Sequence, residues 1–371
     1  MCAGAPRSTV AYPGGVIETL SQYSVLCLYS AMGIYALAFI FFAIDLARRS
    51  SVADGESIEV VREAERVASS AAADRAASGR ATVASASASG SGGNGRTATL
   101  SRLGSRVEDE VYNAPSRSKA MRIGFSLTLL AFVLHLGATV LRGVAAGRVP
   151  WANMYEFSIT GTVLIIGVFL AVQLRWDLRF LGAFITGLVL VLLGVATVNY
   201  YVDVVPLPPA LQSYWLVIHV LVAILGTAFF ALGFALSVTQ LLQSRRESSG
   251  ESAPSVLRFL RTLPSSLTLE NLAYRVTIIG FILWTFTLIA GAVWAEKAWG
   301  RYWGWDTKEV WTFIIWTIYA GYIHARATRG WRGTPSAWLA IIGFSAVMFN
   351  FGVVNVFFKG LHAYSGLDTG M

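Results

Sequence analysis

Cysteine is nearly missing from this chain. Its two thiols, Cys2 and Cys27, stand far apart and form no C-x-x-C pair. That excludes a dithiol redox motif, a cysteine zinc site and a covalent haem-attachment sequence within the chain. Cys27 lies in an apolar run, where a free thiol usually serves as a small core residue. Charge is scarce too: 13% of residues are Asp, Glu, Lys or Arg, against about a quarter in ordinary soluble domains. No P-loop, Ser–His–Asp or paired-carboxylate arrangement is present, so nothing in the chain points to nucleotide-driven or hydrolytic chemistry. A cleavable leader is not expected either. The first apolar run, from near Tyr23 to about Ile44, follows a polar start without a basic n-region and reads as a retained span.

What the chain does have is apolar length. Hydrophobic types make up 55% of it and the mean hydropathy is +0.58. A spanning helix needs roughly 20 mostly apolar residues, and several windows supply them with one charge or none. The expected fold is all-α, a polytopic membrane helix bundle of about eight transmembrane helices with a Trp-rich outer loop. The helices are placed at roughly 22–45, 120–142, 155–173, 180–198, 214–241, 274–294, 309–327 and 336–357. Three regions follow: an N-terminal span (1–46), a disordered cytoplasmic loop (47–119) and the main transmembrane domain (120–371). The middle region, with "SSAAADRAASGRATVASASASGSGGNGR", has too few large apolar residues to offset its ordering entropy, although a weak helix around Ser57–Ala73 is allowed.

The formal net charge of +8 does not imply nucleic acid. The basic residues sit between apolar windows, so topology accounts for them. If the loops at 46–122, 174–180, 243–275 and 325–335 are cytoplasmic, only seven of the 29 Lys and Arg residues face outward: Arg7, Arg142, Arg148, Lys297, Arg301, Lys308 and Lys359. Both termini and the Trp-rich loop then lie on the outer side of a bacterial plasma membrane.

Four histidines carry most of the chemical information. His135 and His324 fall within helices; His219 and His362 stand at the outer ends of the fifth and eighth. Neutral imidazole is a favoured axial ligand for haem iron, and ionisable groups inside a membrane point to function by default. Two pairs allow two bis-histidine sites; ordinary hydrogen-bonded core histidines are the alternative. His324 shares a helix face with Thr317, Ala320 and Gly321, and His135 with Thr128, Ala131, Ala138 and Thr139. Such stripes leave room for a flat macrocycle or simply for close helix packing. His324 reads nearer the cytoplasmic end of its helix than His135, so sharing one iron requires offset or tilted helices.

Between the sixth and seventh helices runs "WAEKAWGRYWGWDTKEVW", residues 294–311. Trp and Tyr concentrate at membrane interfaces, but five tryptophans with Gly300, Gly304 and Asp306 in one short loop suggest a surface shaped for a planar apolar ligand. Lys297, Arg301 and Lys308 are available to carboxylates of such a ligand, or to Glu296, Asp306 and Glu309 nearby.

The run "WGRYWGWDTKEVW", from Trp299 to Trp311, resembles the WWD signature of haem-handling proteins in cytochrome c biogenesis. Together with "AGAVWAEKAWG", "IYAGYIHAR", "PALQSYWLVIHV" and "FNFGVVNVFFKGLHAYSG", it is similar to the CcsA/ResC proteins of the system II pathway over roughly residues 120–366. The resemblance implies haem b as the transported substrate, and delivery of that haem to the outer face for attachment to C-x-x-C-H sequences of apocytochromes c. It implies an outer haem site with His219 and His362 as axial ligands beside the loop residues Trp299, Gly300, Tyr302, Trp303, Trp305 and Asp306. It implies an internal site at His135 and His324. It also implies membership of a cytochrome c synthase complex with a ResB-type membrane protein carrying an outer soluble domain. "PWANMYEF", with Asn153 and Glu156, resembles a family feature without an assigned chemistry. A membrane b-type cytochrome for electron transfer and a system I WWD protein are the competing readings.

Overall fold

The structure is a computed structural model describing residues 14–78, 118–205, 211–249, 260–328, 331–358, 360–362 and 366–367. The described chain is helical throughout, with no strand among the described residues. Eight long helices follow in order: α1 Gly14–Ser78, α2 Lys119–Ala146, α3 Met154–Val172, α4 Gly182–Asn199, α5 Tyr214–Ser249, α6 Ser266–Trp299, α7 Thr307–Ala327 and α8 Thr334–Phe349. Seven of them are long and apolar enough to cross a membrane, so the protein is a multi-pass membrane protein. The exception is α7. Its 21 residues span about 31 Å at 1.5 Å per residue, but charged and aromatic residues at its ends lower its hydropathy.

The expected loop at 47–119 needs correction over its first part. Helix α1 continues without interruption to Ser78, because the segment after Arg49 is rich in Ala, Glu and Arg, which lose little rotamer freedom in a helix. Residues 79–117, where disorder was also expected, lie outside the described residues, as does Cys2. Cys27 packs against the apolar core as expected.

Helices α1 and α2 pair along their lengths, with α4 laid against α1; α5 and α6 form a second long pair, flanked by α7 and α8. Helix α3 joins the two groups through contacts with α2, α4 and α5. Without a hydrophobic driving force between helices in lipid, close packing must come from small residues. The α5–α6 seam shows this. An added Cβ at Gly226 would stand 3.4 Å from the Gly280 carbonyl, one at Gly233 2.5 Å from Thr277 Oγ1, and one at Gly280 2.8 Å from the Phe230 ring. At Gly233 and Gly280 a side chain would clash, so the close approach depends on glycine there.

Polar side chains in the spans are mostly consumed locally. Thr128, Thr139, Thr162, Thr186 and Thr239 each donate a hydroxyl to the carbonyl four residues earlier, satisfying the group without water. Outward-facing positions such as Leu129, Val133 and Val140 are exposed and apolar, as a lipid-facing surface requires.

Candidate functional site

The start of α3, the ends of α4 and α6, the starts of α5 and α7 and the end of α8 meet at one end of the bundle. They enclose a mostly apolar cavity of about 380 Å³ whose lining includes His219, His362, Trp294, Trp303 and Lys308. That volume falls within the range of small-molecule and cofactor sites. His219 and His362 therefore face one space, although 143 positions of sequence separate them.

His219 reaches the cavity from the first turns of α5. Its Nδ1 lies 3.0 Å from the Thr287 carbonyl of α6, which can only accept, so Nδ1 carries the proton. The Nε2 lone pair is thereby left for a ligand or metal. Gly291, one turn after Thr287, makes room for the ring: a Cβ there would sit 2.7 Å from His219 Cε1.

His362 is held in the same way from outside the bundle. Its Nδ1 stands 2.7 Å from Asp306 Oδ2, again leaving Nε2 as the free nitrogen. Asp306 is the organising residue of the loop. It caps α7 in a reciprocal capping box with Glu309, and its Oδ1 accepts the Leu361 amide at 3.0 Å. A side chain at Gly360 would collide with Asp306 Oδ1 at 2.1 Å, so only glycine lets the chain close over that carboxylate. The hydrogen bond from His362 is the main cause holding the Asp306 carboxyl below the usual carboxylate range. The contact therefore supports the fold above the ordinary carboxyl pKa, about 4, and is lost as pH falls through the lowered folded value.

The tryptophan loop has an inner and an outer face. Trp294, almost completely buried, stacks on His219 with centroids 5.9 Å apart and meets the His362 ring at 5.5 Å. Trp299 packs edge-on against both Trp294 and His362, at 4.7 and 4.8 Å. Tyr302, Trp303 and Trp305 are exposed, Trp305 by 77%, with Trp303 and Trp305 edge to face at 5.8 Å. Trp305 has φ of 59°, a left-handed conformation unusual for a bulky residue. The turn is held in place by Glu309, whose Oε2 accepts the amides of Gly304 and Asp306 at 2.8 and 3.0 Å. Gly300, at φ 73°, ends α6 as its C-cap.

Of the ten residues expected at haem sites, the structure thus gathers His219, His362 and the Trp299–Asp306 loop. It does not bring His135 and His324 together. His135 is fully buried on α2, with Tyr35 Oη and Thr162 Oγ1 each 3.5 Å from its two ring nitrogens, and α2 packs on α1, α3 and α4. His324 is exposed in the last turn of α7, which packs on α6 and α8. The Thr128–Thr139 stripe around His135 is buried against neighbours, whereas Thr317 and Gly321 beside His324 are exposed.

Asn153 and Glu156, left without a role in the sequence, support the cavity rim. Asn153 caps α3 by accepting the Glu156 amide at 2.9 Å. Glu156, buried, pairs with Arg142 at 3.2 Å and Arg148 at 2.6 Å. The two guanidiniums also bond the carbonyls of Val202 and Val205, tying down the segment after α4. Thr287, Gly291 and Trp294 were not singled out as site residues. For Thr287 and Gly291 the only sequence signal is position, one turn apart on the face of α6 that "AGAVW" ends; Trp294 stands among the five tryptophans of the 294–311 run.

The comparisons with known proteins agree with this geometry. The family described as Cytochrome C assembly protein matches residues 151–362, the stretch that builds the cavity. The chain belongs to that family, in its CcsA-type branch. It is 36% identical over 264 residues to the cytochrome c biogenesis protein CcsA of Guillardia theta, covering 66% of this chain and 86% of that protein. The CcsA protein of Synechococcus elongatus is 34% identical over 281 residues, covering 65% and 86%. That of Trieres chinensis is 32% identical over 276 residues, covering 67% and 88%.

Proposed function

We propose that this family member binds haem b in the cavity, with His219 and His362 as axial ligands, and presents it for attachment to apocytochromes c. The observation that carries the reading is the matched pair of imidazoles. Each has Nδ1 fixed by an oxygen acceptor and Nε2 left free, and both line one cavity. Aromatic and aliphatic walls suit the porphyrin faces, and the exposed Tyr302, Trp303 and Trp305 offer a surface at which an apocytochrome segment can dock. The reaction presented in this way is addition of two cysteine thiols across the two haem vinyl groups. Each sulfur bonds one vinyl carbon and the thiol hydrogen ends on the other, so no further reactant is consumed. What the chain contributes is positioning; an incoming substrate histidine replaces one of the two axial imidazoles as the thiols align.

The proposal includes a ResB-type partner with an outer soluble domain, and a bacterial plasma membrane with the Trp-rich loop outward. An internal site built jointly from His135 and His324 is not part of it, because those residues lie on helices with different neighbours. The test is spectroscopic. The full chain, purified with and without the partner, should show a Soret band of low-spin bis-histidine haem, and His219→Ala and His362→Ala should each shift or abolish it. A colourless wild-type protein, or a band insensitive to both substitutions, would sink the reading. A band lost only with His135→Ala would point instead to an electron-transfer haem within the membrane.

A further inference from the structure

Three cations near the tryptophan loop are candidates for carboxylates of a bound ligand, and the structure treats them differently. Lys297 pairs with Glu296 at 3.0 Å and is more than half exposed. Arg301 folds over Gly304, where its guanidinium occupies the space a Cβ would take, and it does not line the cavity. Lys308, in the first turn of α7, does line it, with His219, His362 and Glu309. Among the described residues its ammonium has one bonding partner, the Asn355 side-chain oxygen, and no carboxylate within ion-pair distance.

Asn355 reaches that position because the chain after α8 widens into a π-helical turn, Asn350–Val354, a device frequent at functional sites. Neither neighbouring acid contacts the Lys308 ammonium. Asp306 takes His362 and the Leu361 amide. Glu309 turns one oxygen to the Gly304 and Asp306 amides, while its other oxygen is buried without a hydrogen-bond partner and forms no ion pair with Lys308. An ammonium facing a mostly apolar cavity, with a single neutral acceptor in contact and Asp306 acting on it only from a distance, lacks the contacting counter-charge that normally offsets its desolvation. The cavity's own ligand is the natural source of that charge.

We infer that Lys308 is the carboxylate-recognising group of the cavity, so that haem enters with one propionate directed at the Lys308–Asn355 corner. This rests on the functional reading above and adds to it an orientation. With one propionate fixed there, the macrocycle cannot rotate freely about the axis through its iron, so the vinyl edge faces a defined wall.

The test compares haem with its dimethyl ester, in which both carboxylates are capped. Binding to the full-length protein (with its partner if purification requires it) is read by Soret titration. The wild type should prefer haem over the ester by about ten-fold or more, the scale of one charge-assisted hydrogen bond. Lys308→Met, which keeps the stem and removes the charge, should bind both alike while its His219-dependent band is retained. Lys308→Arg should keep part of the preference. If Lys308→Met does not fold, the wild-type comparison and Lys308→Gln decide the matter. Equal binding of haem and ester by the wild type overturns this inference and leaves the haem reading standing. So does a preference undiminished in both Lys308→Met and Lys308→Gln. A wild-type protein that binds neither overturns both.

Discussion

Helices α6 and α7 carry polar residues at both of their ends, and the two ends use them in opposite ways. At the end away from the cavity, Glu270 Oε1 stands 2.8 Å from Arg326 Nε and accepts from the Gly333 amide at 2.9 Å and Ser336 Oγ at 3.3 Å. Arg326 in turn donates to Asn271 and lies over the Tyr274 ring. Charges there are spent on one another, and the cluster ties the start of α6 to the end of α7 and the start of α8. At the cavity end, Glu156 and its two arginines do the same work for the rim. One layer further in, the bonding capacity is left open: Nε2 of His219, Nε2 of His362 and the Lys308 ammonium. These three stand around one space. Buried polar atoms without a partner occur elsewhere, as at Ser237 Oγ and Thr277 Oγ1; what marks the site is that two imidazoles and an ammonium line the same cavity.

Breaking the two ion clusters tests this contrast most strongly. Glu156→Gln strands two arginines, and breaking such a buried pair costs about 3–5 kcal/mol; the thermal unfolding midpoint in detergent should fall sharply, and haem binding with it. Glu270→Gln strands one arginine and should lower the midpoint less, about 3 kcal/mol, while the folded fraction keeps the wild-type Soret band. A Soret change in Glu270→Gln as large as in Glu156→Gln would erase the distinction between the ends. Gly291→Ala is the next probe. Its methyl meets the His219 ring, so a loss of about 1–3 kcal/mol is expected from overpacking, with a band shift that Gly226→Ala, on the same α5–α6 seam, should not produce. The smallest effect concerns Trp305. Trp305→Gly removes a bulky side chain from a left-handed residue and should raise stability by up to about 1 kcal/mol, while weakening capture of an apocytochrome peptide measured by fluorescence anisotropy.

Much of this was legible in the sequence, for reasons that differ by scale. Seven of the eight helices could be placed because each is a long apolar run; the run read as a loop from 294 to 311 proves to be loop only between Trp299 and Thr307, where Gly300 and the Asp306–Glu309 capping box set the ends. His219 and His362 could be paired because both stand at helix ends on one side. What periodicity could not supply was lateral arrangement. His135 and His324 are both histidines in spans that differ in sequence only by apparent depth, yet one is clasped by Tyr35 and Thr162 while the other is exposed. Which helices touch is decided by seams such as Gly226–Gly280, and those are invisible along a single chain. The continuation of α1 to Ser78 has no hydrophobic signature; its signal is the helix propensity of Ala, Glu and Arg.

Trp294 has a kinetic consequence. Its indole lies beside both imidazoles, with centroids 5.9 and 5.5 Å away, so under the proposed function we expect that ring to shift when a flat ligand is shared by the two nitrogens. Association should then be slower than encounter, with a rate that saturates at high ligand concentration as the side-chain rearrangement becomes limiting. The same ring, falling back as the product leaves, would hasten release and keep the vacated imidazoles from closing on each other.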